Sequence, residues 1–87
     1  SARPVVKTSF MPANMQEFAI LAAQDAINNF TTEQEVSSAI KEKFETQFPS
    51  VWHCFVGRNF GCFVTHEATK FIYFYIGQMG ICLFSTA

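Results

Sequence analysis

The sequence is short of charge and has no long apolar run. Its 87 residues include 6 lysines and arginines against 7 aspartates and glutamates, so the net charge is −1. A nearly neutral chain offers little attraction to a phosphate backbone, and no apolar run approaches the ~20 residues that a membrane-spanning helix needs. A base-stacking surface built on Tyr73 and Tyr75 would have only Arg58 and Lys70 as basic residues in its half of the chain. We therefore expect no nucleic-acid partner and no membrane partner.

Cysteine is also scarce, and its spacing matches no common metal or redox motif. Cys54, Cys62 and Cys82 are an odd number without a CxxC pair, and we expect no signal peptide before them. This pattern favours reduced thiols in the cytosol. Cys62 and His66 would lie about 13 Å apart along an extended strand, which is too far for both to bind a zinc ion at ~2.0–2.3 Å. We expect neither a metal nor another cofactor.

A small thiol-dependent enzyme that uses Cys54 or Cys62 with His66 is the alternative function. A cysteine–histidine pair could form across strands, but the sequence offers no third, orienting group and no oxyanion loop. His53 and Cys54 are adjacent in a predicted strand, so they point to opposite faces and cannot act on one atom. Thiols buried as small hydrophobic groups are the ordinary interpretation. We expect a protein that is not an enzyme.

Aromatic residues, by contrast, are abundant and dominate the second half of the sequence. The chain has 11 phenylalanines, and the stretch from Trp52 to Phe84 alternates aromatic and β-branched residues in short runs separated by glycine or asparagine. This pattern is typical of antiparallel strands with tight turns. Gly77 and Gln78 form a two-residue loop with glycine first, the composition of a type II′ turn. The loop predicts a register of Ile76 opposite Met79, Tyr75 opposite Gly80, Phe74 opposite Ile81, Tyr73 opposite Cys82, Ile72 opposite Leu83 and Phe71 opposite Phe84.

Both faces of this predicted hairpin are apolar, because successive side chains of a strand point to opposite faces. An antiparallel sheet usually leaves one face in water. Two helices from the first half of the chain can cover one face. The other face is expected to have no cover within the chain, which predicts a partner subunit.

The first half of the sequence predicts one strand followed by two helices. Residues Pro4 to Phe10 form a short extended stretch, and apolar residues then recur at helical spacing from about Asn14 to Phe30. Thr32 with Glu35 three residues later forms a capping box for a second helix, which Pro49 ends. The fold class is therefore α+β, with two helices packed on an antiparallel sheet. We expect a single domain over residues 1–87 in the order β-α-α-β-β-β-β.

Three stretches of the second half resemble the eight-kilodalton cytoplasmic dynein light chain family. They read WHCFVGRNFG from Trp52 to Gly61, VTHE from Val64 to Glu67 and FIYFYIGQ from Phe71 to Gln78. The resemblance implies a strand-exchanged homodimer in which each subunit lends a strand, about Phe60 to Thr65, to the sheet of the other. It also implies a non-catalytic hub in the cytoplasm, associated with the microtubule cytoskeleton as a light chain of the dynein motor complex.

The same resemblance implies the ligands and the residues that bind them. Two symmetric grooves of the dimer would accept short disordered segments with a Thr-Gln-Thr-like core, each added as a strand. The dynein intermediate chain and other proteins with Gln-centred motifs are the implied partners. The residues carried over for peptide binding are Lys7, Glu33, Gln34, Asn59, Phe60, Gly61, Cys62, Phe63, Val64, Thr65, His66, Phe71, Tyr73, Tyr75 and Cys82. Those carried over for the dimer interface are His53, Phe60, Cys62, Phe63 and Thr65.

The sequence departs from the family pattern at positions of the implied groove. Cys62-Phe63 stands where Ser-Tyr is usual, and Gln34 stands where lysine is usual. The first change removes two hydroxyl groups. We expect a shifted peptide preference, with only a mild effect from Gln34 if its backbone makes the contact.

Overall fold

The computed structural model describes residues 3–58, 61 and 67–86. Within them the predicted α+β fold is confirmed: two helices pack on an antiparallel sheet of four strands. The predicted strand from Phe60 to Thr65 lies outside the described residues except for Gly61, and so does its exchange between subunits. The elements are β1 Pro4–Ser9, α1 Ala13–Asn29, α2 Glu33–Gln47, β2 Trp52–Arg58, β3 Lys70–Ile76 and β4 Met79–Ser85.

The predicted hairpin is the centre of the sheet, whose strand order is β1-β3-β4-β2. Gly77 has a φ of 63°, a conformation that favours glycine and that the predicted turn requires at its first loop residue. Because this turn sets the pairing of β3 with β4, every predicted opposition from Ile76–Met79 to Phe71–Phe84 is confirmed. β1 then pairs with β3 and β2 with β4, both antiparallel.

The second helix begins at the capping box that the sequence predicts. The Thr32 hydroxyl accepts a hydrogen bond from the Glu35 N–H at 3.1 Å, and the Glu35 carboxylate accepts one from the Thr32 N–H at 3.1 Å. The Thr32 N–H and hydroxyl both donate to the Glu35 carboxylate, and these two hydrogen bonds hold the pKa of Glu35 below its ordinary value. Past the other end of the helix, the Trp52 indole donates to the Phe48 carbonyl at 2.7 Å. This bond ties the first residue of β2 to the helix before it.

The core lies between the helices and one face of the sheet. Small side chains line the buried side of α1, whereas Val36, Ile40 and Phe44 form the buried side of α2. Phe44 packs edge-on against Trp52 with ring centroids 4.8 Å apart. Neither helix of the described residues combines the length and the apolar character needed to cross a bilayer. The sheet residues of the core are Trp52, Ile72, Phe74, Ile76, Ile81 and Leu83.

Candidate functional site

A row of four aromatic rings crosses the sheet on the face opposite the helices. We call Phe10, Phe71, Phe84 and His53 the aromatic row. Phe10 stacks on Phe71 with ring centroids 5.4 Å apart, Phe71 lies 6.4 Å from Phe84, and His53 stacks on Phe84 at 5.0 Å. The strand register explains the row, because Phe84 pairs with Phe71 on one side and with His53 on the other. Each of the four strands, or in the case of β1 the residue directly after it, thus supplies one ring of the row.

This face is buried at its centre and open on its β2 side. Phe71 and Cys82 are only 1% and 2% exposed, whereas Phe55 on β2 is 57% exposed. The expectation that this face has no cover within the chain is therefore wrong at the centre of the sheet, where Phe10 stacks on Phe71. The same expectation holds at Phe55, whose ring centroid lies 6.2 Å from that of Phe84 and which extends the aromatic surface.

The two edges of the described sheet differ in how well they could accept another strand. β1 has a bulge between Val6 and Thr8 that leaves Lys7 out of the pairing with β3. Such a bulge twists an edge strand and weakens it as a template. β2 pairs with β4 without interruption from Trp52 to Arg58. The outward groups of β2 therefore form the more regular of the two edges.

The N-terminus of α2 presents backbone donors at the surface. The capping box uses the N–H of Glu35, and the first N–H groups of a helix have no acceptor within the helix. Glu33 and Gln34, which carry two of those groups, are both exposed. An open groove of about 440 Å³ lies beside them, lined by Phe30, Thr32, Gln34, Glu35, Ser38, Ala39 and Glu42.

Two tyrosines form a pair on the same face as the aromatic row. The Tyr73 hydroxyl donates to the Tyr75 hydroxyl at 3.1 Å, and the rings lie 5.6 Å apart in an edge-on arrangement. The hydrogen bond to Tyr75 raises the pKa of Tyr73, and burial adds to the effect. Both phenols are half-buried, so they combine an apolar ring with hydroxyl groups near the surface.

The structure brings some of the predicted peptide-binding residues together and separates others. Phe71, Tyr73, Tyr75 and Cys82 share the face away from the helices, because Tyr73 pairs with Cys82 and side chains alternate along β3. Lys7 lies at the bulge of β1, and Glu33 and Gln34 belong to the helix layer. Gly61 is exposed. The predicted residues Asn59, Phe60, Cys62, Phe63, Val64, Thr65 and His66 lie outside the described residues.

Two members of this surface, Phe10 and Phe55, were not predicted from the sequence. Phe10 follows the last residue of β1, and its N–H donates to the Phe71 carbonyl at 2.9 Å. Which strand pairs with β1 could not be read from the sequence, so the stacking of Phe10 on Phe71 was not predicted. Phe55 could have been found, because strand alternation places it on the same face as His53.

The cysteines do not form a nucleophilic site among the described residues. Cys54 packs against the core, and burial raises the pKa of its thiol to about 12. Cys82 is disulfide-bonded, which corrects the expectation of reduced thiols for this residue. Over residues 3–58, 61 and 67–86, no three histidine, cysteine or acidic side chains are grouped as metal ligands would be.

The family model described as dynein light chain type 1 matches residues 3–86. The chain belongs to the dynein light chain family. Members of this family are generally non-catalytic and are associated with the cytoplasmic cytoskeleton. Membership supports a binding or adaptor role for this dynein light chain.

Solved structures of dynein light chain-like domains have the same fold. Two are structures of the dynein light chain-like domain of the Fasciola hepatica calcium binding protein FhCaBP2. One comes from a mercury derivative and the other from the native form. The first has a TM-score of 0.82 at 18% identity, with 100% of this chain and 95% of that chain covered. The second has a TM-score of 0.86 at 16% identity, with coverages of 99% and 93%. The dynein light chain-like domain of CsTAL3 has a TM-score of 0.76 at 15% identity, with coverages of 95% and 92%. At such identities the likeness shows the fold alone.

Proposed function

We propose that this dynein light chain is a homodimeric, non-catalytic hub that binds short disordered segments by strand addition in two symmetric grooves. The observation that carries the proposal is the half-open aromatic face beside the regular edge of β2. A large exposed apolar side chain next to an unbulged edge strand is the combination expected where another chain adds to a sheet. Membership of the family supports a binding role of this kind.

The partner that best fits the aromatic face is a second copy of this chain. Phe55 is 57% exposed, and His53 beside it is half-buried against Phe84. In a dimer with twofold symmetry each surface feature meets its own copy or a neighbouring one, so one aromatic patch covers another. His53, Phe60, Cys62, Phe63 and Thr65 are the proposed interface residues.

The proposed ligand is a disordered segment with a Thr-Gln-Thr-like core. Its backbone would supply most of the affinity as an added strand, and its glutamine side chain would accept hydrogen bonds from the free N–H groups at the start of α2. Gly61 supports this arrangement, because a Cβ built on it meets no described atom within 4 Å. A glycine in open space leaves room for another backbone to approach. The proposed partners are the dynein intermediate chain and other proteins with Gln-centred motifs, in the dynein motor complex on microtubules or elsewhere.

Isothermal titration with a synthetic peptide tests the proposal. A peptide of about ten residues with a Thr-Gln-Thr core, the length of a long strand, is compared with its Thr-Ala-Thr counterpart. We expect one peptide bound per chain. The Thr-Ala-Thr peptide should bind at least about tenfold more weakly, because it lacks the hydrogen bonds of the glutamine side chain with the N–H groups at the start of α2.

Gly61→Val is the matched structural test. The added side chain has space within the subunit but obstructs an incoming strand, so peptide binding should fall about tenfold or more while the melting temperature stays close to that of the wild type. The control is Thr46→Val, an exposed position about 18 Å further along α2 than Gln34. Unchanged peptide affinity in a folded Gly61→Val protein would overturn the placement of the groove.

A further inference from the structure

Besides the open groove at the start of α2, a cavity lies where the end of α2 meets the sheet. Its volume is about 240 Å³. It is bordered by the segment that follows α2, by the first residues of β2 and β3, by the last residue of β4 and by the first turn of α1. The lining consists of Met15, Gln47, Phe48, Pro49, Ser50, Trp52, Lys70 and Ser85.

The position of the cavity follows from the register of the sheet. Ser85 pairs with Lys70 on one side and with Trp52 on the other, so the three side chains form a row across β3, β4 and β2. Trp52 belongs to the core cluster, which places this row on the face that the helices cover. The cavity therefore lies on the opposite side of the sheet from the aromatic row and is separate from the proposed peptide groove.

The walls of the cavity are held in place by hydrogen bonds. The Trp52 indole donates to the Phe48 carbonyl at 2.7 Å. Ser85 is 1% exposed, and its hydroxyl lies 2.8 Å from the Thr69 hydroxyl, in hydrogen-bonding contact. Both groups have partners within the fold, so the cavity does not need a ligand to define its shape. A preformed pocket loses less entropy when it binds a ligand.

The charge in this cavity is unbalanced. Among the described residues of the lining, Lys70 is the only charged one, and no carboxylate accompanies it. The two ion pairs found among the described residues are Lys41–Glu45 and Lys43–Asp25, both on the helices. Lys70 thus makes no ion pair with a described residue. A cation at the border of an apolar pocket is suited to a ligand with an anionic group and an apolar body.

We propose that this cavity binds a small organic anion with an apolar body, whose carboxylate contacts Lys70 and whose apolar part packs against the half-buried side chains of Met15 and Phe48. A volume of about 240 Å³ corresponds to roughly eight water volumes of ~30 Å³, so the ligand has about eight non-hydrogen atoms. Hexanoate has this size and serves as the probe. For a ligand so small, we expect a dissociation constant on the order of 1 mM.

The single tryptophan of the chain reports binding at this cavity. In a ¹H–¹⁵N spectrum the Trp52 indole gives one resonance, which hexanoate should shift in a saturable way. Hexanol and hexylammonium have the same apolar body with no charge or the opposite charge, and they should bind at least about tenfold more weakly. No saturable shift with hexanoate up to about 20 mM, or equal binding of hexanol, would overturn the proposal.

Substitution of Lys70 separates charge from shape. Lys70→Met should weaken hexanoate binding about tenfold, and Lys70→Arg should retain it, because only the second keeps the cation. Lys41→Met removes a lysine from the surface of α2 and should leave binding unchanged. Circular dichroism confirms that each variant is folded. Unchanged binding in a folded Lys70→Met protein would show that Lys70 does not hold the anion and would refute the assignment.

Discussion

Replacement of Phe55 by serine should weaken self-association without unfolding the subunit. A phenylalanine side chain has ~150–250 Å² of surface, so an exposed fraction of 57% corresponds to about 110 Å². At ~25 cal/mol per Å², complete cover by a partner contributes about 3 kcal/mol per side chain. If the partner covers only half of that area, the two symmetry-related side chains still contribute about 3 kcal/mol together, which is roughly a hundredfold in the dissociation constant.

Analytical ultracentrifugation over a range of concentrations measures this effect directly. Leu21→Ser is the matched control, because Leu21 is 64% exposed and lies on α1, away from the aromatic face. We expect Phe55→Ser to raise the dissociation constant of the dimer about a hundredfold and Leu21→Ser to leave it unchanged. Equal dissociation constants for Phe55→Ser and the wild type would refute the reasoning, and so would equal weakening by the two substitutions.

Two further predictions concern the helix cap and the buried thiol. Thr32→Ala should lower the free energy of unfolding by about 1 kcal/mol and the melting temperature by about 4–8 °C, because it removes the acceptor of the Glu35 N–H. Thr31→Ala loses only a contact of 3.5 Å between its hydroxyl and the Glu35 carboxylate, so it should change the melting temperature much less. An equal fall in melting temperature for the two variants would contradict the role of Thr32 as the cap. Burial raises the pKa of Cys54 to about 12, above its ordinary value of 9.0, so iodoacetamide at pH 8 should alkylate it more than tenfold more slowly in the folded protein than in urea. Because the Cys54 thiol has the lower pKa in the unfolded state, it loses its proton there first, and the free energy of unfolding should fall as the pH rises above about 9 toward 12. Peptide-resolved mass spectrometry that shows fast labelling of the native thiol would contradict both statements.

The sequence predicts those parts of the fold that depend on local chemistry. The register of the hairpin follows from Gly77 and Gln78, because a two-residue loop leaves one pairing of the flanking strands. The start of α2 follows from Thr32 and Glu35, because their side chains satisfy each other's backbone. Both predictions use residues no more than a few positions apart.

The parts that could not be predicted depend on contacts between distant residues. Nothing in the local pattern of β1 indicates a bulge at Lys7, which arises from pairing with a strand more than sixty residues later. Phe10 on Phe71 is a contact of the same kind, and it is why the face expected to be uncovered is partly covered. The cavity beside Lys70 joins five segments of the chain, so its shape belongs to the assembled fold.

The centre of the sheet is built from β3 and β4, which are synthesised after both outer strands. β1 pairs with β3 and β2 pairs with β4, so neither outer strand has its partner until residues 70–85 have been made. Domains usually fold in the order of synthesis, but here the helices and both outer strands must wait with apolar side chains uncovered. A chain that stops before β4 therefore keeps only the pairing of β1 with β3 and leaves β2 without a partner strand, whereas loss of β1 removes a single edge strand. Ribosome stalling before β4 has been made should produce an aggregation-prone fragment that depends on chaperones.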